Sequence, residues 1–322
     1  MRKKLGVLTS GGDTPGMNAA IRSVVLAADD NGFVAMGIKK GYAGLISGDV
    51  SRIKPEDVRD IANMGGTILK TARCREFMTD AGRQKALNVI KAYNIEGMVV
   101  IGGDGSFAGA EVLDRHGIPT VAVPATIDND LPYTDFTIGF DAAVNLVISE
   151  MAKIRDTMNS HERIGVIEVM GNQCGDIALY AGIAGPAENI VIPEKEKDLD
   201  EICDRLVSER IKGKTASLVL VAEGAGSGIE TAQYIHDMTG LEAKAIVLGY
   251  TQRGGSPSAA DRMRASSFGI HAVQLLARGN GGRAVGIRNN NLFDEEIKAA
   301  LATEPRAQTQ LLEEYRILSR NG

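Results

Sequence analysis

Short aliphatic runs that each close on a glycine or polar turn punctuate this chain. They are LGVLTS from Leu5, MVVIGG from Met98, TVAVP from Thr120, IGVIEVMG from Ile164, NIVIP from Asn189, SLVLVAEG from Ser217, AIVLGY from Ala245 and AVGIR from Ala284. Near-continuous apolar runs of this length are buried on both faces, as the strands of parallel sheets are. Helical spacing of apolar residues fills the intervals, over Ala142–Arg155, Leu199–Ile211 and Asp261–Leu276. Strand, turn and helix in repetition predict a doubly wound α/β fold. At 322 residues the chain exceeds one ordinary core, so two sheets are expected rather than one. No proline-rich linker separates them, which puts the boundary inside ordered structure, with a crossing expected near Phe136–Gly139.

Charge and composition narrow the partners. Thirty-six basic residues against 41 acidic ones give a net charge of −5, so no global field draws in nucleic acid. Aromatic residues are 4% and tryptophan is absent, which removes the stacking platforms of a single-strand binder. A phosphate ligand must then be held by local arginines and backbone amides. The basic start MRKKLGVLTS has too short an apolar run for a signal peptide, and no stretch is long enough to span a membrane. Cys74, Cys174 and Cys203 lie far apart, as do His116, His161, His236 and His271, so no zinc-type spacing occurs. Few, scattered cysteines fit a cytoplasmic protein. The charged PEKEKDLDE stretch from Pro193 reads as a solvated loop entering a helix, and the last twenty or so residues as a surface helix.

Three glycine or carboxylate loops follow strands, where helix N-termini and amides can hold phosphate. The first, Gly11 to Asn18, is neither a Walker loop nor G-x-G-x-x-G, and reads equally as a tight strand-to-helix turn. The second, Gly102 to Ser106, sets Asp104 between glycines, where it suits Mg²⁺ through water or simply caps a helix. The third, Thr126 to Asp130, carries two carboxylates at i and i+2, a pattern for a general base and a metal partner, or for an Asx-rich turn. Three such loops on successive strands are far more specific than any one. A further cluster, Gly224 to Gly228, misplaces the third glycine of a dinucleotide fingerprint and is read as a flexible loop.

LTSGGDTPGMNAAIR, GGTILKTAR, VVIGGDGS, TIDND, SHERI, MGNQCGD and QRGGSP together, in this order and spacing, resemble the bacterial ATP-dependent 6-phosphofructokinase family, from about Lys3 to about Gly286. The resemblance implies two similar doubly wound, mostly parallel-sheet domains of the phosphofructokinase-like kind. It implies an ATP-binding domain over 1–138 plus 251–301 and a sugar-phosphate-binding domain over 139–250 plus 302–322. It also implies glycolytic transfer of the ATP γ-phosphoryl group to the 1-hydroxyl of fructose 6-phosphate, in a cytoplasmic homotetramer. By position, Gly12, Arg73, Cys74, Gly103, Asp104, Gly105 and Ser106 would contact ATP, with Asp104 serving Mg²⁺. Asp128 would be the base, with Thr126 and Asn172 beside it in the catalytic site. Met170, Gly171, Glu223, Tyr250 and Arg253 would face the sugar, while Arg163 and Lys244 would reach its 6-phosphate, Arg163 from a neighbouring subunit. Arg22, Arg155, Glu188, Lys212 and Lys214 match positions that bind ADP or phosphoenolpyruvate as effectors.

Several positions depart from the family pattern. Asn172 stands where the family has arginine, Tyr250 where it has histidine, Lys244 and Leu26 where it has arginine, and Ala125 where ATP users have glycine. Lysine keeps a charge but loses the planar fork, and Leu26 removes a cation one helical turn from Arg22. Pyrophosphate-dependent relatives resemble GGDDS and PKTIDND. Uncharged Gly105 and Ala125 here argue for ATP. Alternatives are a kinase of a related ketose phosphate, the pyrophosphate-dependent enzyme, or a silent binding subunit, the last countered by the retained Asp104 and Asp128.

Overall fold

The computed structural model describes residues 2–319. Eleven strands form in chain order: β1 Lys4–Thr9, β2 Val34–Ile38, β3 Val50–Arg52, β4 Ile95–Gly102, β5 Thr120–Pro124, β6 Ile164–Val169, β7 Asn189–Val191, β8 Ser217–Ala222, β9 Ala243–Val247, β10 Arg283–Arg288 and β11 Asn291–Glu296. The helices are α1 Met17–Asp30, α2 Gly41–Ser47, α3 Asp80–Tyr93, α4 Asp104–Arg115, α5 Phe140–His161 and α6 Asp176–Ala184. They continue with α7 Leu199–Ile211, α8 Gly228–Thr239, α9 Ala259–Ala277, α10 Ile297–Leu301 and α11 Thr309–Ser319. The chain divides into two compact units. One runs up to Ile127 and includes Leu131–Asp141 and Arg253–Pro305; the other comprises Asp128–Asp130, Ala142–Gln252 and the chain from Arg306.

The first unit holds a seven-stranded sheet in the order β11-β10-β5-β4-β1-β2-β3. Its interior pairs are parallel, and only β3 and β11 run antiparallel at the edges. Alternate residues face opposite sides of a strand, and here both sides are dry. Val99, Ile101, Val121 and Val123 enter one core cluster with Ile21, Val24 and Phe268. Met98, Val100 and Ala122 enter another with Tyr42, Phe107 and Leu113. Ile21, Val24, Val25 and Ala28 follow the i, i+3, i+4, i+7 rule and put one stripe of α1 inside. Ser258 caps α9 by accepting from Asp261 N, which sets that helix against the same core.

The second unit holds a four-stranded, wholly parallel sheet ordered β7-β8-β6-β9. Ile164, Val166, Val219 and Val221 pack with Cys203 and Leu206 of α7 and with Ile235 of α8. Asp198 caps α7 by accepting from Glu201 N. The segment from Gly224 to Gly228 is a built turn rather than the flexible loop expected of it. Ser227 accepts from Ile229 N and Glu230 N, and Gly228 N donates to Glu168 Oε2 at 2.7 Å. Among the described residues no helix is long and apolar enough to cross a membrane.

Gly139 lies in the Leu131–Asp141 stretch of the first unit, with φ at +101°. Its N–H donates to the buried Asp261 carboxylate at 2.9 Å, and an added Cβ would overlap Thr14 Oγ1. Thr14 is itself pinned, donating to the Ile138 carbonyl at 3.2 Å. Gly139→Ala should therefore lower stability by about 2–4 kcal/mol, read as a shift in urea midpoint; a change under about 0.5 kcal/mol would refute the close-packing argument.

Candidate active site

In the first unit the donor-type loops converge at the carboxyl ends of β1, β4 and β5. Thr71 Oγ1 donates to the Gly11 carbonyl at 2.6 Å, and Thr9 Oγ1 donates to the Lys70 carbonyl at 3.0 Å. Asn18 fastens the same segment, accepting from Ile68 N at 2.7 Å and donating to the Met64 and Gly65 carbonyls. These bonds bring the stretch carrying Arg73 and Cys74 beside the first glycine loop. Arg73 is exposed, whereas Cys74 packs half-buried against the core. At Gly12 an added Cβ would collide with the Arg253 guanidinium, whose Nη1 also donates to the Asp13 carbonyl at 3.4 Å. Glycine is required there because a cation lies directly on the backbone.

The second and third loops run alongside. A Cβ at Gly11 would meet Ser106 Oγ at 3.4 Å, and one at Gly103 would meet Thr126 Cβ at 3.7 Å. Asp104 opens α4 with its carboxylate exposed, accepting from Gly105 N at 2.5 Å. An exposed carboxylate oxygen at a strand end is a hard donor of the kind Mg²⁺ accepts. A Cβ at Gly105 would meet nothing within 4 Å. Ala125, by contrast, is 1% exposed and belongs to the core, so the open space argued from sequence lies at Gly105 alone. Thr126 is buried, and its carbonyl accepts from Thr137 Oγ1 at 2.6 Å.

In the second unit Asp128 is buried, and its neighbour Asn129 takes a left-handed backbone with φ at +53°. Asn129 Nδ2 donates to Asp176 Oδ2 at 2.8 Å, and Asn172 Nδ2 lies 3.4 Å from Asp130 Oδ2. The main chain after β6 is arranged by two acceptors. Glu223 Oε1, at the end of β8, accepts from Gly171 N at 3.3 Å and Asn172 N at 3.0 Å. Gln252 Oε1 accepts from Met170 N at 3.1 Å. Tyr250 is exposed. Arg163 and Lys244 both grip Glu242, at 2.8 and 3.0 Å, and hold its carboxyl down at about 2.

Of the effector positions, Arg155 makes a two-pronged contact with Glu188, at 2.8 and 3.2 Å, and Lys214 lies 3.1 Å from the same carboxylate. Leu218 N donates to it as well, at 2.7 Å. Burial pushes the Glu188 carboxyl up, but these hydrogen bonds and charges outweigh it and leave the group below its usual range. Lys212 is exposed on its own, and Arg22 sits half-buried on α1 of the first unit. Leu26 packs half-buried against the core, which accounts for an apolar residue there.

Residue-by-residue reading missed Asp176, Gln252 and Thr71, although each lies in or beside a quoted motif. Cys174, Asp176 and Glu194 place ligand-type atoms within 4.8 Å of one another. Asp176 already accepts two amide donors and Glu194 accepts from Gly175 N, while burial drives the Cys174 thiol far up. That is the chemistry of a hydrogen-bonded cluster rather than of a thiolate metal site.

Amide-lined loops and exposed carboxylates at the ends of parallel strands define an α/β protein built to handle phosphate. The family model described as phosphofructokinase matches residues 4–276, and the chain belongs to that family. An ATP-dependent 6-phosphofructokinase of Alkaliphilus metalliredigens is 55% identical over 98% of this chain and 99% of its own. One from Clostridium botulinum is 52% identical over 99% and 100%. Phosphofructokinase from Saccharomyces cerevisiae superposes with a TM-score of 0.89 at 32% identity over 99% of this chain, which spans about half, 48%, of the yeast chain. The α/β fold expected from the strand pattern is that of the phosphofructokinases.

Because the native Glu188 carboxyl sits below its ordinary value of 4.5, the unfolded chain takes up protons first as acid is added. The stabilisation is complete above that value and lost as pH falls through the native one. Stability from urea unfolding should fall as pH drops below about 4.5, and Glu188→Gln should flatten that slope. An unchanged slope would show that the cluster contributes nothing to acid unfolding.

Proposed function

We propose that this chain is a cytoplasmic phosphotransferase. It moves the γ-phosphoryl group of ATP to the 1-hydroxyl of fructose 6-phosphate, giving fructose 1,6-bisphosphate and ADP in glycolysis. The observation that carries the reading is 55% identity, along nearly the whole of both chains, to a relative named as an ATP-dependent 6-phosphofructokinase. The open space at Gly105 supports ATP over pyrophosphate, since an aspartate there would crowd and repel an α-phosphate.

In this reading Gly12, Arg73, Cys74 and the Gly103–Ser106 loop hold the nucleotide. Asp104 would hold Mg²⁺, which when bound with ATP spreads the charge of the migrating group. Asp128 takes the proton from the sugar 1-hydroxyl as its oxygen attacks the γ-phosphorus and the bond to ADP breaks. Burial keeps that carboxylate from bulk water. Thr126 lies two residues before it in the chain, and Met170, Gly171, Asn172 and Glu223 bind the sugar with Tyr250 and Arg253. Asn172 offers neutral donors where the family uses a cation, so more of the charge falls to Arg253 and Arg73.

Arg163 and Lys244 supply the 6-phosphate contacts of a homotetramer. Their shared partner Glu242 is half exposed, so exchanging it for a phosphate dianion costs little. ADP or phosphoenolpyruvate binds at Arg22, Arg155, Glu188, Lys212 and Lys214, weakened by Leu26. A second reading, a kinase of another ketose phosphate, is favoured by Asn172, Lys244 and Tyr250 together.

Purified protein should turn over fructose 6-phosphate with ATP and Mg²⁺ faster than tagatose or sedoheptulose phosphates, and faster than with pyrophosphate. A preference for another ketose phosphate or for pyrophosphate would replace the reading. Asp128→Asn should cut turnover by about 10²–10⁴-fold with nucleotide affinity nearly intact. Near-normal turnover in that variant would remove Asp128 from the role of base.

A further inference from the structure

The three residues Asp128–Asp130 belong to no helix or strand, so no backbone ladder fixes the carboxylate of Asp128. Side chains of their own unit bond to two of them, Asn129 and Asp130. Asn129, 5% exposed, donates Nδ2 to Asp176 Oδ2 at 2.8 Å, and Asp176 itself is 3% exposed. Gln308, in the segment leading to α11, donates Nε2 to the other oxygen, Asp176 Oδ1, at 2.7 Å. Both donors take the left-handed backbone, with φ at +53° for Asn129, which asparagine adopts readily, and +46° for Gln308, which glutamine seldom does. The Gln308 conformation persists where surrounding bonds over-determine it. Asp176 is the first residue of α6, whose N-terminal dipole favours a carboxylate there.

We propose that Asp176 is a positioning residue for phosphoryl transfer, its two carboxylate oxygens gripping Asn129 of the catalytic loop and Gln308 of the C-terminal segment. The assignment rests on the reading of Asp128 as the base. Its physical content is that one buried acceptor ties the loop to the C-terminal segment, drawing on donors 47 and 132 residues away in sequence. Burial pushes the Asp176 carboxyl above its usual range, and the Asn129 and Gln308 hydrogen bonds offset part of that rise. Glu194 raises it further and Arg306 lowers it. Two residues beyond Asp128, Asn172 Nδ2 reaches Asp130 Oδ2, so both residues that follow the base carry a side-chain contact.

The test is a donor–acceptor swap, with kcat, KM for ATP, KM for fructose 6-phosphate and the melting midpoint measured for each variant. Asn129→Asp sets two buried carboxylates against each other and should lower kcat about 10–100-fold, with KM for ATP within about twofold. Adding Asp176→Asn restores the pair in reverse. The new amide at 176 donates to the new carboxylate at 129, while its oxygen still accepts from Gln308. The double variant should recover at least about tenfold in kcat over Asn129→Asp. Failure of the swap to recover kcat in a folded protein, or near-normal kcat in Asn129→Asp, would overturn the positioning role. A loss of melting midpoint with kcat unchanged would show that the contact is structural only. Gln308→Ala should lower kcat several-fold with the fold intact, and it decides the matter if Asn129→Asp does not fold; full activity there sinks the proposal. Asp128→Asn is assayed in parallel, so that an inert base and an idle tether give different results.

Discussion

A strand with both faces dry has no place along its length for a polar side chain, so polar chemistry must begin where the strand stops. In this chain β1, β4 and β5 are buried nearly throughout, and each hands over at its carboxyl end to a loop proposed to carry the chemistry. The backbone groups of those strands are spent on the ladder. The loop groups beyond are not, and they can face a phosphate. Small residues are needed at these ends for a second reason: the loops come close enough that a Cβ at Gly12 would displace the Arg253 guanidinium. The cation and the amides thus reach one place because the sheet beneath them admits no alternative.

Charge in the second unit is handled by pairing rather than by exposure. Glu188 is buried, yet two cations and a backbone N–H serve its carboxylate. Taking such a group out of water is costly unless every lone pair is met, and here most of them are. Arg163 and Lys244 show the exposed version of the same device around Glu242, where solvent screening makes each contact weak and exchangeable. Buried pairs of this kind hold an arrangement in place, and exposed pairs keep cations ready for a better anion.

The strands with unbroken aliphatic runs were legible from sequence, and α7 fell on Leu199–Ile211 as its spacing predicted. Three strands were not. β2 contains Met36 and Gly37 and breaks the aliphatic pattern, β3 is three residues with a mostly exposed face, and β11 reads NLFDEE. The last two are antiparallel edge strands, which need only one dry face and carry a correspondingly weaker signal. Among the proposed site residues, the places of Asp104 at the head of α4 and Glu223 at the end of β8 could be read from their turns. The tether from Asn129 to Asp176 could not, because hydrogen bonds between distant residues leave no local pattern. The burial of Ala125 was hidden for a related reason. A small residue reads as open space until its neighbour, here Ile138 across a parallel bridge, is known.

Asn172 brings these constraints together. Its backbone is left-handed at φ +54°, its N–H donates to Glu223, and its side-chain amide reaches Asp130. Asparagine is among the few non-glycine residues that adopt this conformation readily, because its short polar side chain bonds locally. An arginine at the same φ would bear about 1–2 kcal/mol of backbone cost and would need its charge to be worth more than that. The asparagine trades a cation for a relaxed turn and a contact with the loop proposed to carry the base. The charge forgone must then be supplied from elsewhere on the proposed reaction path. Within the first unit Arg253 already lies on the glycine loop proposed to hold the nucleotide. A cation fixed to the donor loop acts on the leaving side of the phosphoryl group as well as on the group itself, so the loss at 172 falls more on the sugar side of the transfer than on the nucleotide side.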